Sequence, residues 1–243
     1  MNAAGLFSMQ ASQAAATAPT TAPEAARIMV INPNSSRRVT AAIDRAVNDD
    51  GDSGTPRFHC VTMAQGPAGV VTQADADLAA LLVTRWVEDH EDEASAFVVA
   101  CFSDPGLATA RARTRKPVIG IGEAGLLASL GMGRKVGVIA VAGPAIPRHM
   151  RYWRAMALDH RIAGERALDV SVEQSGDPAV AFERMREVGR ELRDQDGADV
   201  LLMGCAGMAD LREPLQAALD MPVVEPCAAA AALAVLRSRM ASA

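Results

Sequence analysis

Aromatic residues and lysine are scarce in this sequence. Aromatic side chains make up 3% of its 243 residues, and its lysines are Lys116 and Lys135. Since half of the chain is hydrophobic, we expect a core of valine, leucine, isoleucine, alanine and methionine, in one large or two small domains. The formal net charge of −5 argues against nucleic acid or an anionic membrane as the main partner. No apolar run is long enough to span a bilayer.

Cysteine and histidine lack the spacings of disulfide scaffolds and metal sites. The four cysteines are too few for a disulfide framework in a chain of this length, and none belongs to a CxxC pair. The four histidines form neither an HxH nor an HExxH arrangement. We therefore predict that the protein has no metal site.

The first 26 residues lack the features of a signal peptide, because no basic segment precedes a continuous apolar stretch. Alanine, threonine, serine and proline dominate this segment. We predict a disordered N-terminal extension over residues 1–26 and a cytoplasmic location for the protein.

Short apolar runs alternate with segments of helical periodicity along the rest of the chain. This alternation is typical of parallel sheets covered by helices on both faces, and it predicts an α/β fold. Asp104 is predicted to cap a helix that begins at Pro105. The predicted strands cover residues 27–31, 57–63, 96–100, 116–121, 134–141, 167–172, 199–203 and 222–225.

Two of the apolar runs lead to a cysteine, and the segments that follow are similar. Cys101 and Cys205 are each followed by small or polar residues, a helical pattern, and then a proline with two apolar residues. This internal repeat predicts two pseudo-symmetric lobes, each a mainly parallel sheet flanked by helices, with the active site in the cleft between them. We predict that lobe 1 comprises residues 27–124 and 223–243, and lobe 2 residues 125–222.

Both cysteines fall at the carboxyl ends of predicted strands, where parallel sheets bind ligands. Two thiols on opposite walls of one cleft suit the inversion of a carbon centre beside a carbonyl, because one thiolate removes a proton and the other thiol delivers one to the opposite face. We expect the helix beyond each cysteine to lower the pKa of its thiol. The candidate donors to the developing enolate oxygen are the backbone of Phe102 and Ser103, the Ser103 hydroxyl, and the turn of Asn34 and Ser35.

Two other motifs suggest nucleotide binding or hydrolysis, but the support for each is weaker than for the paired cysteines. Residues 120–125 match the GxGxxG dinucleotide fingerprint, but no acidic residue ends the next predicted strand, so tight packing of helix on strand explains the glycines better. Ser35 and Ser103 lack an obvious histidine partner, so a hydrolase triad has weak support. A two-lobed binding protein for small molecules is the non-enzymatic alternative.

Five segments of the sequence resemble the hydantoin racemase branch of the Asp/Glu/hydantoin racemase superfamily, to which the allantoin racemases are closely related. The segments are VINPNSS at residues 30–36, QGPAG at 65–69, ACFSDPGL at 100–107, PVIGIGEA at 117–124 and MGCAGMADL at 203–211. The resemblance runs from about residue 27 to residue 236. It implies a pseudo-symmetric pair of α/β lobes that racemise a substrate with two cysteines and no cofactor.

The resemblance also assigns roles to individual residues. It implies that Cys101 and Cys205 are catalytic, and that the groups contacting substrate lie around Asn34, Phe102, Ser103, Ala206 and Gly207. It further implies a homo-oligomer that acts on a small molecule. Nucleic acid and membranes are not expected partners.

The substrate remains open between two classes. Glutamate and aspartate racemases typically carry Asn-Thr after the first cysteine, whereas this sequence has Phe102 and Ser103 there. A free amino acid therefore fits less well, and we expect 5-substituted hydantoins or allantoin. Small dicarboxylates or amino acids, such as aspartate, glutamate or maleate, are the alternative.

Overall fold

The computed structural model describes residues 27–48 and 58–241. The predicted N-terminal extension, residues 1–26, lies outside this part of the chain. Within the described ranges, no helix has the length and apolar character needed to cross a membrane.

The first sheet has four parallel strands in the order β2-β1-β3-β4. Its central strands β1 and β3 pair with Val30 opposite Val98. Nearly all of their side chains are buried, because helices cover both faces, and this explains the continuous apolar runs in the sequence. The strands are β1 (Arg27–Asn32), β2 (Phe58–Thr62), β3 (Ala94–Val99) and β4 (Val118–Gly120).

The second sheet repeats the first, strand for strand, in the parallel order β6-β5-β7-β8. Its central strands pair with Val138 opposite Leu202. Two four-stranded parallel sheets of identical order confirm the α/β fold with two related units that the repeat in the sequence predicts. The strands are β5 (Val136–Ala140), β6 (Ile162–Ala167), β7 (Val200–Gly204) and β8 (Val223–Val224).

Helices connect successive strands, as parallel pairing requires. Short 3-10 turns precede or extend several of them, and the turn at Ala206–Leu211 begins directly after Cys205. The helices are α1 (Arg37–Asn48), α2 (Gln73–Asp89), α3 (Leu107–Arg111), α4 (Ile121–Leu130), α5 (Ile146–Ala155), α6 (Pro178–Asp194), α7 (Arg212–Leu219) and α8 (Pro226–Ala241).

Helix α8 packs on the first sheet although it follows the last strand of the second. Its Cys227 and Ala234 share a buried cluster with Val30 and Val98 of the first sheet. The preceding strand, Val223–Val224, pairs with β7 in the second sheet. The chain therefore returns to the first sheet only with α8, and the predicted division into lobes at residues 124 and 222 stays a prediction.

The glycines of the GxGxxG segment permit close contacts where α4 begins. A Cβ atom on Gly120 would stand 2.3 Å from Cγ of Asp104, and one on Gly122 would stand 2.3 Å from the backbone oxygen of Phe102. A Cβ on Gly125 would stand 2.8 Å from the Leu202 side chain. The tight packing predicted for these glycines is confirmed.

The predicted strand at residues 167–172 is misplaced, since β6 spans Ile162–Ala167. Glu165 and Arg166 interrupt its apolar pattern, and both charged side chains bind other residues of the protein. Arg166, for example, forms an ion pair with Glu191 of α6. A strand at the edge of a sheet tolerates such side chains, so its sequence does not show the continuous apolar run of a central strand.

Candidate active site

The segments that follow β3 and β7 meet at one pocket. The two strands occupy the same position in their respective sheets. Cys101 comes shortly after β3 and Cys205 directly after β7, and both line the pocket. The structure thus brings together the two cysteines that the sequence singles out.

The pocket encloses about 500 Å³ of space, part of which is open to solvent. The described residues that line this pocket include no lysine, arginine, aspartate or glutamate, so its wall suits an uncharged ligand. They are Asn34, Val39, Val70, Val71, Ala100, Cys101, Phe102, Ser103, Val141, Ala142, Ala145, His149, Val172, Gly204, Cys205 and Ala206.

Burial has the largest effect on the pKa of the Cys101 thiol and raises it to about 12. The backbone N–H of Ser103 donates to the sulfur and lowers this pKa, as does the Arg148 guanidinium. Cys205 and Asp104 raise the pKa further, because a second negative charge nearby disfavours the thiolate. The electrostatic coupling between the two cysteines agrees with their place in one pocket.

Cys205 lies in a similar environment. Its sulfur accepts a hydrogen bond from the backbone N–H of Gly207 at 3.4 Å, and the Ser175 hydroxyl stands 3.6 Å away. These groups lower the pKa of the Cys205 thiol, but burial outweighs them and raises it. The predicted lowering of the thiol pKa values is therefore wrong in net direction for both cysteines, although the expected N–H donors are present.

Asp104 caps a different helix from the one predicted. Helix α3 begins at Leu107 with Gly106 as its N-cap, not at Pro105. The Asp104 carboxylate instead accepts hydrogen bonds from Gly122 N and Glu123 N, at 2.9 and 2.7 Å, in the first turn of α4. Burial raises the pKa of this carboxyl to about 7 despite those two donors.

Asn34 presents a defined group to the pocket. Its side-chain oxygen accepts hydrogen bonds from Asn32 Nδ2 at 3.0 Å and from the backbone N–H of Ser36 at 2.9 Å. Because both bonds use the oxygen, they fix the orientation of the amide. The Nδ2 group is therefore the part of this side chain that remains available as a donor.

Ser103 has the histidine partner that the sequence did not reveal. Its hydroxyl oxygen lies 2.9 Å from Nε2 of His149, and Nδ1 of the same ring lies 2.5 Å from Oε1 of Glu165. His149 and Glu165 are both buried. The prediction that Ser103 lacks a histidine partner is therefore wrong, since the turn after β3, helix α5 and strand β6 together build a serine–histidine–glutamate series.

Arg148 contacts the same serine from a second direction. Its Nη2 donates to the Ser103 hydroxyl oxygen at 3.0 Å, and Nη1 donates to the Val71 carbonyl at 3.3 Å. A guanidinium bond to the hydroxyl oxygen reduces the electron density that a nucleophile needs. We therefore interpret Ser103 as a binding group and not as the nucleophile of a hydrolase triad.

Phe102 and Ala206 both line the pocket, each directly after a cysteine. The Phe102 ring packs edge-on against His149 and Trp153, with ring centroids 5.1 and 5.8 Å apart. This contact holds the His149 ring beside the pocket, so Phe102 forms an apolar wall and also supports the polar groups around Ser103.

Two predicted contact residues do not line the pocket. Ser35 is largely tied to the loop before α2, because both its N–H and its hydroxyl donate to the Pro67 carbonyl, at 2.9 and 3.3 Å. Gly207 contacts the Cys205 sulfur through its N–H and has no side chain to reach further. Its place in the site is therefore indirect.

His149 and Glu165 are the residues that the sequence interpretation missed. A signal for His149 exists, because it lies four residues before the buried Trp153 and so on the inner face of α5. Glu165 had no comparable signal, since it lies on the strand that was misplaced. Contacts between residues this far apart along the chain depend on the packing of α5 against β6.

A comparison with known families and proteins identifies the group to which these features belong. The family model described as Asp/Glu/Hydantoin racemase matches residues 28–234. The chain belongs to this racemase family. It is 30% identical over 212 residues to a hydantoin racemase of Paenarthrobacter aurescens, covering 86% of this chain and 89% of that protein. It is 31% identical over 206 residues to a hydantoin racemase of Pseudomonas sp. (strain NS671), covering 82% and 80%.

Solved structures extend the similarity of this racemase family member to its fold. An allantoin racemase from Pseudomonas fluorescens matches with a TM-score of 0.83 and 26% identity, over 88% of this chain and 91% of that chain. The match confirms the predicted branch of the family, and the protein is an isomerase of the racemase type.

Proposed function

We propose that the protein is a cofactor-independent racemase of 5-substituted hydantoins or allantoin, with Cys101 and Cys205 as paired acid and base. The observation that carries the proposal is the single pocket that both cysteines line, at equivalent strand ends of two repeated sheets. The relatives named above support the substrate class.

In the proposed reaction, one cysteine is a thiolate and the other a thiol. The thiolate removes the proton from ring carbon 5, which is acidic because it adjoins a carbonyl. The resulting enolate oxygen accepts a hydrogen bond from Asn34 Nδ2, and the opposite thiol then protonates the carbon from its own side. The product is the mirror-image hydantoin. The first cysteine is now a thiol and the second a thiolate, so the two have exchanged protonation states. Asn34, Phe102, Ser103 and Ala206 line the bound ring, while Gly207 supports the Cys205 sulfur and Ser35 the loop beside it.

The pocket wall favours hydantoins over the alternative class. No permanently charged side chain is among the described residues that line it, whereas a dicarboxylate or amino acid needs partners for its charges. Five valines contribute much of the wall. We therefore propose that apolar 5-substituents bind better than the polar ureido group of allantoin.

The decisive experiment follows the loss of optical activity of single enantiomers, in ordinary and deuterated water. We expect Cys101→Ser and Cys205→Ser each to abolish racemisation, while one of them retains proton exchange for one enantiomer. Cys60→Ser is the matched control, because Cys60 lies on β2 and does not line the pocket. If both pocket variants racemise like the control, the two-cysteine mechanism is wrong.

The same assay separates the substrate classes. Hydantoins with alkyl and aromatic 5-substituents are tested beside allantoin, aspartate, glutamate and maleate. Turnover of the acids alone would favour the dicarboxylate alternative, and binding without deuterium uptake would favour a non-enzymatic binding protein. A homo-oligomeric state and a cytoplasmic location belong to the proposal and are tested by light scattering and by cell fractionation.

A further inference from the structure

The hydrogen-bond partners of Ser103 determine what its hydroxyl offers to a ligand. A guanidinium has only donors, so the Ser103 oxygen must accept the 3.0 Å bond from Arg148 Nη2. The second contact, to His149 Nε2 at 2.9 Å, runs in either direction according to which ring nitrogen carries a proton. The state of His149 therefore decides the polarity of Ser103.

Glu165 fixes the tautomer of the neutral His149 ring. Its Oε1 lies 2.5 Å from Nδ1 of His149, and a carboxylate oxygen accepts hydrogen bonds. Nδ1 then carries the proton, and Nε2 of the neutral ring carries a lone pair.

Glu165 makes this contact in an unfavourable position. Its Oε2 is buried and has no hydrogen-bond partner among the described residues. Burying an unpaired carboxylate oxygen is destabilising, and packing alone does not explain it. The placement is explained if the purpose of Glu165 is to orient His149.

It follows that the Ser103 hydroxyl donates to His149 and accepts from Arg148. The Ser103 oxygen then has one lone pair left, with which it can accept a hydrogen bond from a ligand. Asn34 offers the opposite, a donor, since its side-chain oxygen already accepts two hydrogen bonds and its N–H group is available. The pocket thus pairs an acceptor with a donor, which matches the N–H and C=O groups of a cyclic amide or ureide.

We propose that His149, Glu165 and Arg148 are positioning residues that hold Ser103 as a hydrogen-bond acceptor, so that the site selects substrates with a ring N–H. The proposal rests on the proposed function, because it concerns the same pocket. It excludes carboxylates as good ligands at Ser103, since a carboxylate has no proton to donate.

The test compares a 5-substituted hydantoin with its N1-methyl and N3-methyl derivatives. In the native protein we expect one of the two methylations to raise KM, or the dissociation constant measured by calorimetry, about tenfold or more. Ser103→Ala should remove most of this discrimination. A steric effect of the methyl group elsewhere in the pocket would persist in Ser103→Ala and would contradict the proposal.

Variants of Glu165 test the positioning role. Glu165→Gln keeps an acceptor for Nδ1–H and should preserve discrimination, whereas Glu165→Leu removes the acceptor and should abolish it. In a Ser103→Ala background, Glu165→Leu should have no further effect on the ratio, because it acts through Ser103. A change of kcat with an unchanged ratio in all variants would overturn the proposal. If Glu165→Leu does not fold, Ser103→Ala and Glu165→Gln still decide it.

Racemisation and binding, measured separately, keep the two proposals distinguishable. Racemisation of unmethylated and methylated hydantoins at equal efficiency would support the proposed function and refute the selection of a ring N–H. Weaker binding of the methylated ligand, without racemisation of either ligand, would support the selection and refute the proposed function. Equal binding, or no binding, of the two ligands by the native protein refutes the selection in either case.

Discussion

At the scale of single residues, the pocket opposes the chemistry that we assign to it. Burial raises the pKa of both thiols, although a thiolate is needed to remove a proton. The N–H groups of Ser103 and Gly207 and the Arg148 guanidinium counteract this effect without cancelling it. A buried thiolate is also poorly solvated and therefore strongly basic, which suits the abstraction of a proton from carbon.

The first prediction concerns the reactivity of Cys101 with pH. Since its pKa is raised to about 12, the thiolate fraction should rise about tenfold per pH unit across the neutral and mildly alkaline range. Alkylation by iodoacetamide, followed by mass spectrometry of the Cys101 peptide, should show this slope up to at least pH 10. A short unstructured peptide that contains one cysteine is the control, and its rate should level off above the ordinary thiol pKa of about 8.5. A plateau for Cys101 below pH 9 would contradict the prediction.

At the scale of elements, the turn after β3 and the start of α4 form one unit. Asp104 caps α4, and Gly120 and Gly122 leave the space that this carboxylate and the Phe102 carbonyl occupy. The same turn carries Cys101 and Ser103. The geometry of the proposed site therefore depends on a helix cap that lies just behind it.

The second prediction concerns the Asp104 carboxyl. Its pKa is about 7 in the folded protein, whereas an unperturbed aspartate, as in the unfolded chain, has a pKa of 3.8. Between these values the unfolded chain holds fewer protons at this group than the folded protein. The free energy of unfolding should therefore fall as pH rises from about 4 to about 7, with this group contributing up to about 4 kcal/mol.

Denaturant unfolding of the native protein and of Asp104→Asn at several pH values tests this contribution. The stability of the variant should depend less on pH in this window, because an amide has no proton to release between pH 4 and pH 7. A parallel pH dependence of the two proteins would assign the effect to other groups.

The third prediction concerns the glycine that approaches Phe102. Gly122→Ala should lower the free energy of unfolding by about 1–3 kcal/mol, because the new Cβ would stand 2.3 Å from the Phe102 backbone oxygen. Catalytic activity should fall as well, since a shift of Phe102 displaces its neighbours in the pocket. Gly143→Ala is the matched control, as its Cβ would meet no atom closer than 3.7 Å. Equal stability of the two variants would contradict the close contact.

At the scale of the whole molecule, the repeat is what made the fold predictable. Central parallel strands read as apolar runs, so most strands and the two cysteine-bearing strand ends were visible in the sequence. Contacts between distant segments were not visible, because they depend on how α5 meets β6 and on how the turn after β3 meets α4. Hence the Ser103–His149–Glu165 series was missed, and Asp104 was assigned to the wrong helix. The thiol pKa values were misjudged for a similar reason, since burial is a property of the assembled pocket.

The packing of α8 leads to the last prediction. Because α8 covers the first sheet, a fragment of residues 1–130 leaves part of the cluster around Val30 and Val98 exposed. We expect this fragment to aggregate or to lack a cooperative unfolding transition. Fusing residues 226–241 to it through a flexible linker should restore a cooperative transition, as measured by circular dichroism in urea. A fusion of the same segment with Ala234→Asp is the control, since Ala234 is fully buried and a charge there should prevent docking. Cooperative folding of the fragment without α8 would show that the first sheet needs no helix from the end of the chain.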